Sequence, residues 1–475
     1  MELYTHQRLG KQMLRDAYAS GHKREILCLP TGGGKTVTAA SILYDSLDKE
    51  GSKLILVDRI ELLKQWATTF QKFGIPFRII RARNYGDNPI PKKTCIAMVE
   101  SLWSRLKKHP NYLEKMNVKF VVVDECHKYS FMKILQMVNC PVLGLTATPL
   151  CSNKDGPLNQ FYDGLTIPIE THELILQGGI VGSKTYSINH DWAGLKKKSN
   201  GEYTDESQML HFGKKKLLGG LVDHWKNYAH DKATVIYNVN IEHSQHVTQM
   251  FLDEGVTCEH MDAKTPQEER DGILNRFRRG DTQVISNVGL LTTGNDEAII
   301  ECIGLNRKIG LISTKTQIDG RGARTHQFSC GRVKDHFVCL DMGANHDTHG
   351  VFGERVDWRA IFNNPLLAKN TKGQKEDDKI ICDKCGGVNA RRLNNCVYCS
   401  HDLTKAKQVR MSFTEMVASE KKKLEEIKAE KKNNLPADLQ GISPGQMTSD
   451  QLWRFIDIMG YKKSYYWVIK GHRKR

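Results

Sequence analysis

Short apolar runs recur along the first 150 residues of the chain, and each run stops at a group of polar residues. Segments with apolar residues at helical spacing, such as 58–66, lie between them. Strands that alternate with helices predict a parallel sheet covered on both faces, with ligands at the carboxyl ends of the strands. The predicted strands are Ile26–Leu29, Lys53–Val57, Thr94–Val99, Lys119–Val123 and Val142–Leu145.

The same alternation resumes at about Leu217 and predicts a second α/β unit. Strands are expected at 234–238 and 282–287, with helices at 241–254 and 265–277. A further strand is expected at 184–188, in the segment that joins the two units. Thr265 is predicted to cap the second of these helices, which should end at Gly280.

The first apolar run leads into Pro-Thr-Gly-Gly-Gly-Lys-Thr at residues 30–36 and then into a helix-like segment at 37–47. Strand, glycine loop and helix in this order are the context of a phosphate-binding loop. Lys35 is placed to reach the β- and γ-phosphates of a nucleotide, and Thr36 to offer its hydroxyl to Mg²⁺. A glycine-rich turn with a chance Lys-Thr pair is the alternative. The predicted nucleotide-binding residues of the loop are Thr31, Gly32, Gly33, Gly34, Lys35 and Thr36.

Two adjacent carboxylates, Asp124 and Glu125, follow the apolar strand at 119–123 directly. An acidic residue at the tip of a buried strand beside a phosphate loop can hold Mg²⁺. Its neighbour can orient and deprotonate an attacking water molecule. A solvated acidic turn is the alternative, but no turn residue separates these acids from the strand. We therefore predict that Asp124 binds metal and that Glu125 is the catalytic base.

Three of these segments together resemble the superfamily 2 helicases. Residues 30–36 are similar to motif I, 124–127 (Asp-Glu-Cys-His) to motif II and 146–148 (Thr-Ala-Thr) to motif III. The resemblance implies an α/β fold of two RecA-like parallel-sheet lobes in tandem, with ATP bound between them. It also implies that His127, Thr146 and Thr148 couple the nucleotide site to the rest of the protein.

The second half of the chain carries further segments similar to motifs of that family. Residues 317–324 match the motif VI pattern Gln-x-x-Gly-Arg-x-x-Arg, which implies catalytic roles for Gln317, Arg321 and Arg324. Planar guanidinium groups there could neutralise charge on the γ-phosphate. Residues 288–296 resemble motif V and imply that Gly294 and Asp296 contact the nucleotide.

Near the N-terminus, residues 3–7 (Leu-Tyr-Thr-His-Gln) resemble the adenine-reading Q motif. The resemblance gives Gln7 an adenine-binding role, because its amide offers both a donor and an acceptor. A polar residue at a helix start is the alternative.

Four of the thirteen cysteines form two C-x₂-C pairs, and the other nine are scattered singly. The pairs have the spacing of a tetrahedral Cys₄ zinc ribbon, and metal should be required for so small a module to fold. A redox dithiol pair and an iron–sulfur cluster are weaker alternatives. The predicted zinc ligands are Cys382, Cys385, Cys396 and Cys399.

The chain has 70 Lys and Arg residues against 54 acidic residues, a formal net charge of +16. This excess suits a polyanionic partner, above all nucleic acid. No apolar run approaches the roughly 20 residues of a membrane span, and the N-terminal residues are polar. Together with the scattered cysteines, this predicts a reducing, cytoplasmic location without membrane contact.

We therefore predict an ATP-dependent DNA helicase or translocase with ATP, Mg²⁺ and Zn²⁺ as cofactors. The zinc pairs downstream of the lobes are most similar to the RadD-like helicases of bacteria and phages. That similarity implies a replication, recombination or repair role, a monomer and DNA rather than RNA as partner. RNA-directed activity and an ATP-controlled nucleic-acid switch without strand separation remain open. The expected domains are lobe 1 (1–170), a bridge (171–215), lobe 2 (216–366), a linker (367–379), the zinc ribbon (380–403) and a helical, basic C-terminal region (404–475).

Overall fold

A computed structural model describes eleven stretches of the chain, and all structural statements below refer to them. Contacts divide the chain into two compact units, 1–408 and 409–475. The described stretches are 2–81, 93–150, 157–187, 192–213, 215–291, 297–365, 379–381, 388–390, 393–395, 400–402 and 435–459.

The first lobe is a seven-stranded parallel sheet with the strand order β3-β4-β2-β5-β6-β1-β7. Its strands are almost continuously apolar because helices cover both faces. The strands are β1 (Arg24–Cys28), β2 (Ser52–Val57), β3 (Phe77–Ile80), β4 (Thr94–Met98), β5 (Val118–Asp124), β6 (Val142–Thr146) and β7 (Gly164–Thr166). The helices are α1 (Thr5–Ala19), α2 (Lys35–Tyr44), α3 (Ile60–Phe73), α4 (Val99–Lys108), α5 (Tyr112–Lys115), α6 (Met132–Leu135) and α7 (Thr171–Leu176).

The second lobe is a six-stranded parallel sheet with the order β10-β11-β9-β12-β13-β8. Its strands are β8 (Gly182–Ser187), β9 (Thr234–Asn238), β10 (Cys258–Met261), β11 (Val284–Asn287), β12 (Cys302–Asn306) and β13 (His336–Asp341). Its helices are α8 (Asp205–Phe212), α9 (Lys215–Tyr228), α10 (Ile241–Asp253), α11 (Gln267–Arg279), α12 (Ile312–Gly322) and α13 (His346–His349). Two tandem parallel-sheet lobes are thus confirmed.

Strand order explains why residues far apart in sequence meet in lobe 1. In the register, Asp124 of β5 lies opposite Leu145 of β6, and Thr146 of β6 lies opposite Cys28 of β1. The loop after β1, the acids after β5 and the threonines after β6 therefore leave the sheet side by side, at its carboxyl edge. This is where a ligand of an open α/β sheet is expected.

Two elements differ from the predicted division into domains. Strand β8 lies inside the segment predicted as a bridge, yet it pairs with β13 as the edge of the second sheet. Helix α14 (Trp358–Asn363) lies within the predicted lobe 2, yet Phe362 is buried in the core of lobe 1. Arg359 of α14 also donates to the Leu165 carbonyl of β7, 3.0 Å away. The chain after lobe 2 thus returns to lobe 1.

The predicted cap of α11 was wrong by one residue. Pro266 is the N-cap, because the Thr265 hydroxyl accepts a hydrogen bond from the Asp262 amide (3.0 Å) instead of capping the helix. The helix ends before Gly280 (φ 82°), as expected from the freedom of glycine to adopt a left-handed conformation.

Smaller features complete the described part of the chain. Strands β14 (Lys379–Ile381) and β15 (Val388–Ala390) form an antiparallel pair. In the second unit, helix α15 (Ser449–Met459) buries Leu452, Phe455 and Ile456 in a small apolar cluster. The eight described cysteines form no disulfide. Among the described residues, no helix combines the length and apolar character needed to span a membrane.

Candidate nucleotide site

One cleft of about 600 Å³ collects most of the predicted site residues from both lobes. The glycine loop, the acid pair and helix α3 line it from lobe 1, and helix α12 lines it from lobe 2. The predicted residues on its wall are Thr31, Gly32, Gly34, Lys35, Thr36, Asp124, Glu125, Gln317, Arg321 and Arg324.

The glycine loop takes its shape from left-handed backbone at Gly32 (φ 88°) and Gly34 (φ 81°). Gly34 is the N-cap of α2, so the first free N–H groups of that helix face the cleft. A Cβ at Gly34 would lie 2.1 Å from Nε2 of Gln7, so a larger residue would displace the Gln7 amide and would also be strained by the positive φ. Lys35 begins the helix, and its ammonium group donates to the Leu29 carbonyl at 3.3 Å.

Asp124 ends β5 as a buried carboxylate that receives one hydrogen bond on each oxygen. The indole N–H of Trp66 donates to Oδ2 at 2.8 Å, and the amide of Glu125 donates to Oδ1 at 3.0 Å. Burial, followed by the charge of Glu125, raises the pKa of Asp124 to about 6. The group is therefore destabilised as an anion unless a cation lies nearby.

Glu125 has a left-handed backbone (φ 53°), which is rare and strained for a residue with a side chain. Its Oε2 atom is buried and accepts no hydrogen bond from a described group, although Nδ1 of His127 lies 3.3 Å away. Among the described residues, neither Asp124 nor Glu125 forms an ion pair with a lysine or an arginine. The two carboxylates offer only oxygen ligands, and no described lysine or arginine pairs with their negative charge. Together with the Thr36 hydroxyl in the same cleft, they fit a magnesium site.

His127 links lobe 1 to lobe 2. Its Nδ1 lies 3.0 Å from the Thr146 hydroxyl, and its Nε2 lies 3.4 Å from the amide nitrogen of Gln317 on α12. The Thr146 hydroxyl also accepts from the Thr148 amide at 3.0 Å. Burial lowers the pKa of His127, which favours the neutral ring. A neutral ring with hydrogen on Nδ1 satisfies both contacts, because Nε2 can then accept from Gln317.

Arg321 and Arg324 bring two guanidinium groups from α12 and its end to the same cleft. Arg321 is 7% exposed, and burial lowers its pKa, against the opposing effects of Tyr237 and Glu125. Burial also lowers the pKa of Arg324 to about 10. Both groups remain cations at neutral pH in a partly desolvated position, where they act strongly on a nearby anion.

Gln7 lies beside the loop but is engaged by the protein itself. Its Oε1 accepts from the Tyr4 amide (3.0 Å), and its Nε2 donates to the Gly33 carbonyl (3.4 Å). The amide is thus positioned against the loop, and an adenine contact stays a prediction. Gly294, Asp296 and the four predicted zinc ligands Cys382, Cys385, Cys396 and Cys399 lie outside the described residues.

Sequence reasoning missed Trp66 and Gln65 of α3. Trp66 donates to Asp124, and Nε2 of Gln65 lies 3.4 Å from the Thr36 hydroxyl. The apolar spacing of 58–66 predicted the helix, but no local signal showed which group the Trp66 N–H would meet.

Two family models match the lobes. Residues 1–150 match "Type III restriction enzyme, res subunit", and 213–326 match "Helicase conserved C-terminal domain". A 51.5 kDa protein of a Lactococcus phage is 26% identical over 412 residues, covering 85% of this chain and 84% of the phage protein. The helicase-named protein IRC3 of Saccharomyces cerevisiae is 27% identical over 346 residues, which cover 68% of this chain and 48% of the yeast protein.

A solved structure confirms the fold. The Type ISP restriction-modification enzyme LlaBIII bound to DNA matches with a TM-score of 0.54 and 16% identity, over 72% of this chain and 28% of that enzyme. The present chain spans about half of the yeast relative and less than a third of LlaBIII. The two family models lie on the two lobes that form the cleft. Both lobes are similar to superfamily 2 helicases, and the chain is a nucleic-acid-dependent ATPase of helicase type.

Proposed function

We propose that this protein is a DNA helicase or translocase that couples ATP hydrolysis between its lobes to movement on, or remodelling of, forked, branched or single-stranded DNA. One observation carries the proposal: the glycine loop and acid pair of lobe 1 share a cleft with Gln317, Arg321 and Arg324 of lobe 2. A site divided in this way is complete only when the lobes approach each other. Binding and hydrolysis can therefore drive closure and release.

On this proposal the loop binds the phosphates of ATP. The Gly33 N–H donates to the Pro30 carbonyl at 2.8 Å, so the other backbone N–H groups of the loop and those at the start of α2 would donate to phosphate oxygens. Lys35 adds a positive charge. Thr36 and Asp124 would hold Mg²⁺, which supplies electrostatic stabilisation of the phosphate groups when bound. Both side chains are buried at the cleft, so water competes weakly for them.

Glu125 is proposed to orient the attacking water and accept its proton. Its left-handed backbone and its unpaired Oε2 atom are consistent with a carboxylate kept ready for this task. Arg321 and Arg324 would neutralise charge that develops on the γ-phosphate. Arginine fingers of this type contribute about 10³–10⁵ to the rate in other nucleotide hydrolases.

DNA is preferred over RNA for two reasons. The family model that matches lobe 1 is named after a restriction enzyme, a DNA-directed class, and the relative of nearly the same length is a phage protein. The net charge of +16 supports a polyanionic partner of either type. The proposal extends to a RadD-like role in replication, recombination or repair, as a cytoplasmic monomer that can meet proteins of those processes.

The test is ATP hydrolysis across matched single-stranded, duplex, forked and junction DNA and RNA. Forked or single-stranded DNA should stimulate turnover most. Lys35→Ala and Glu125→Gln should abolish turnover. Lys226→Ala and Glu114→Gln, which alter exposed residues outside the cleft lining, should retain it. If both Lys35→Ala and Glu125→Gln keep wild-type turnover, the assignment of the nucleotide site is wrong. Stronger stimulation by RNA would refute the DNA preference, and absence of fork unwinding would favour an ATP-controlled switch.

A zinc ribbon is a further part of the proposal. Strands β14 and β15 bracket the Cys382–Cys385 pair in sequence, and a bridge between Asn395 and Asp402 brackets the Cys396–Cys399 pair. Two hairpin-like pairings around two C-x₂-C sequences suit a Cys₄ site. Metal analysis of the purified protein should give about one zinc per chain. Absence of zinc, with all four thiols reactive in folded protein, would refute it.

A further inference from the structure

Helix α3 places two consecutive side chains on the two predicted magnesium ligands. Trp66 reaches Asp124 at the end of β5, and Gln65 reaches Thr36 at the start of α2. Neighbouring helical residues point about 100° apart, so one can enter the core while the other faces the cleft. Trp66 is fully buried, whereas Gln65 is exposed and lines the cleft.

We propose that Gln65 and Trp66 are positioning residues that hold Thr36 and Asp124 in the orientation needed to bind Mg²⁺ with the nucleotide. The inference rests on the proposed function, because it takes Thr36 and Asp124 as the metal ligands. It adds two residues that contact neither the metal nor the nucleotide and that act through the ligands.

The hydrogen-bonding capacity of Asp124 explains what Trp66 does. A carboxylate has about four acceptor positions, and an indole N–H can only donate. The Trp66 N–H occupies one position on Oδ2, and the Glu125 amide occupies one on Oδ1. The remaining positions stay available while the carboxylate plane is fixed from two sides. A rotated carboxylate would have to break one of these bonds.

The orientation of Trp66 is itself fixed by packing. Its ring lies edge-on to Phe70, with centroids 5.3 Å apart, and Leu62, Leu63 and Phe70 bury the same face of α3. A fully buried ring in a close-packed core has few alternative rotamers. The donor therefore stays on the cleft-side end of β5 without a cost in side-chain entropy at each catalytic cycle.

Gln65 plays the corresponding part for Thr36. A hydroxyl has one hydrogen and two lone pairs, and Nε2 of Gln65 occupies one lone pair from 3.4 Å. This fixes the direction of the second lone pair, which is the one a metal ion needs. Residues that orient metal ligands in this way typically change metal affinity or activity by about 10- to 100-fold when replaced.

The experiment compares matched variants by calorimetric titration of ADP, with Mg²⁺ and with chelator. Trp66→Phe keeps an aromatic ring but removes the donor. Its control is Trp225→Phe, because Trp225 is equally buried and donates to the Thr234 hydroxyl at 2.8 Å in lobe 2. Gln65→Ala is compared with Gln71→Ala, an exposed glutamine on the same helix.

We expect Trp66→Phe to reduce the gain in ADP affinity that Mg²⁺ provides by about tenfold, and Gln65→Ala by a smaller factor. ADP affinity in chelator should stay unchanged. The kcat of ATP hydrolysis should fall in both variants, and half-maximal turnover should require a higher Mg²⁺ concentration. Trp225→Phe and Gln71→Ala should match wild type in both measurements.

If Mg²⁺ raises the ADP affinity of both Trp66→Phe and Gln65→Ala as much as that of wild type, the inference is overturned. If Trp66→Phe fails to fold, as judged by thermal unfolding, the Gln65→Ala pair decides alone. Asp124→Asn tests the metal-ligand role of Asp124 separately from the positioning role of the α3 residues. If it leaves the gain intact, the assignment of Asp124 as a metal ligand fails. If it abolishes the gain while the α3 variants keep it, only the positioning role fails.

Discussion

The side-chain nitrogen of Gln317 lies 3.4 Å from Nε2 of His127, and this contact joins α12 of lobe 2 to the residues that follow β5 in lobe 1. His127 also contacts β6, because its Nδ1 lies 3.0 Å from the Thr146 hydroxyl at the end of that strand. A continuous polar chain therefore runs from one lobe to the carboxyl edge of the other.

Gln317→Ala should weaken lobe closure, because it removes the contact to His127, and it also removes a side chain that lines the nucleotide cleft. A hydrogen bond between neutral groups contributes about 0.5–1.5 kcal/mol, so DNA-stimulated turnover should fall up to about tenfold. Basal turnover should fall less. Steady-state ATPase assays with and without forked DNA measure both.

The control for this prediction is Gln249→Ala, since Gln249 is exposed on α10 and its side chain donates to the Asp253 carboxylate at 2.9 Å. A His127→Ala/Gln317→Ala double variant should be no worse than the poorer single variant, because both remove the same contact. Additive losses would contradict a direct coupling between the two side chains.

Gly320→Ala should separate the lobes at the glycine loop. A Cβ at this position would lie 2.4 Å from Cβ of Thr31, and a short β-branched side chain cannot move away easily. We expect turnover to fall more than tenfold, while the free energy of unfolding stays within about 1 kcal/mol of wild type. Gly272→Ala on α11 is the matched control, because its nearest neighbour is the flexible end of Arg276 at 3.4 Å. Equal turnover in both variants would rule out close approach of α12 to the loop.

The alternation of apolar strands and helices was sufficient to predict both parallel sheets, since buried parallel strands leave a strong apolar signal. The polar groups at strand ends predicted that Lys35, Asp124 and Glu125 would meet. The cleft also contains Arg321 and Arg324, as the motif VI resemblance implied.

Three features could not be predicted from the sequence, each for a different physical reason. Strand β8 overlaps the strand predicted at 184–188, but its polar sequence, Gly-Ser-Lys-Thr-Tyr-Ser, gave no signal that it would pair with β13 as the edge of the second sheet. Helix α14 has only six residues, and its packing on lobe 1 depends on contacts distant in sequence. The partner of the Trp66 N–H lies 58 residues away, and only the folded sheet brings it near.

Lys315 and Asp319 form a buried ion pair on α12, with side chains 5% and 2% exposed. Burial raises the pKa of Asp319 while Lys315 opposes that rise, so the carboxylate depends on its partner. Asp319→Asn should leave a buried lysine unpaired and lower the free energy of unfolding by about 3–5 kcal/mol. The double variant Lys315→Met/Asp319→Leu should recover much of that loss. Chemical denaturation of both variants measures the difference, and equal losses in both would contradict an ion-pair effect.

A buried histidine in lobe 2 should make stability depend on pH. Burial, with a smaller effect of His246, lowers the pKa of His243 to about 4 from the usual value near 6.5. Its Nδ1 accepts a hydrogen bond from the Val239 amide (3.4 Å), which requires an unprotonated nitrogen. Between pH 6.5 and 4 the unfolded state therefore binds the proton and the folded state does not. The free energy of unfolding falls as the pH falls through this window.

The expected loss from His243 is at most about 3 kcal/mol, which corresponds to the difference between 6.5 and about 4. Below pH 4 the residue should add no further change. His243→Gln keeps a polar side chain but does not titrate, so its unfolding free energy should vary less steeply with pH than that of wild type. His230→Gln, at an exposed position, should follow the wild-type profile. Denaturant unfolding at closely spaced pH values from 7 to 4 makes the comparison. Parallel profiles for wild type and His243→Gln would contradict the prediction, because they would show that the pKa of His243 is the same in the folded and unfolded states.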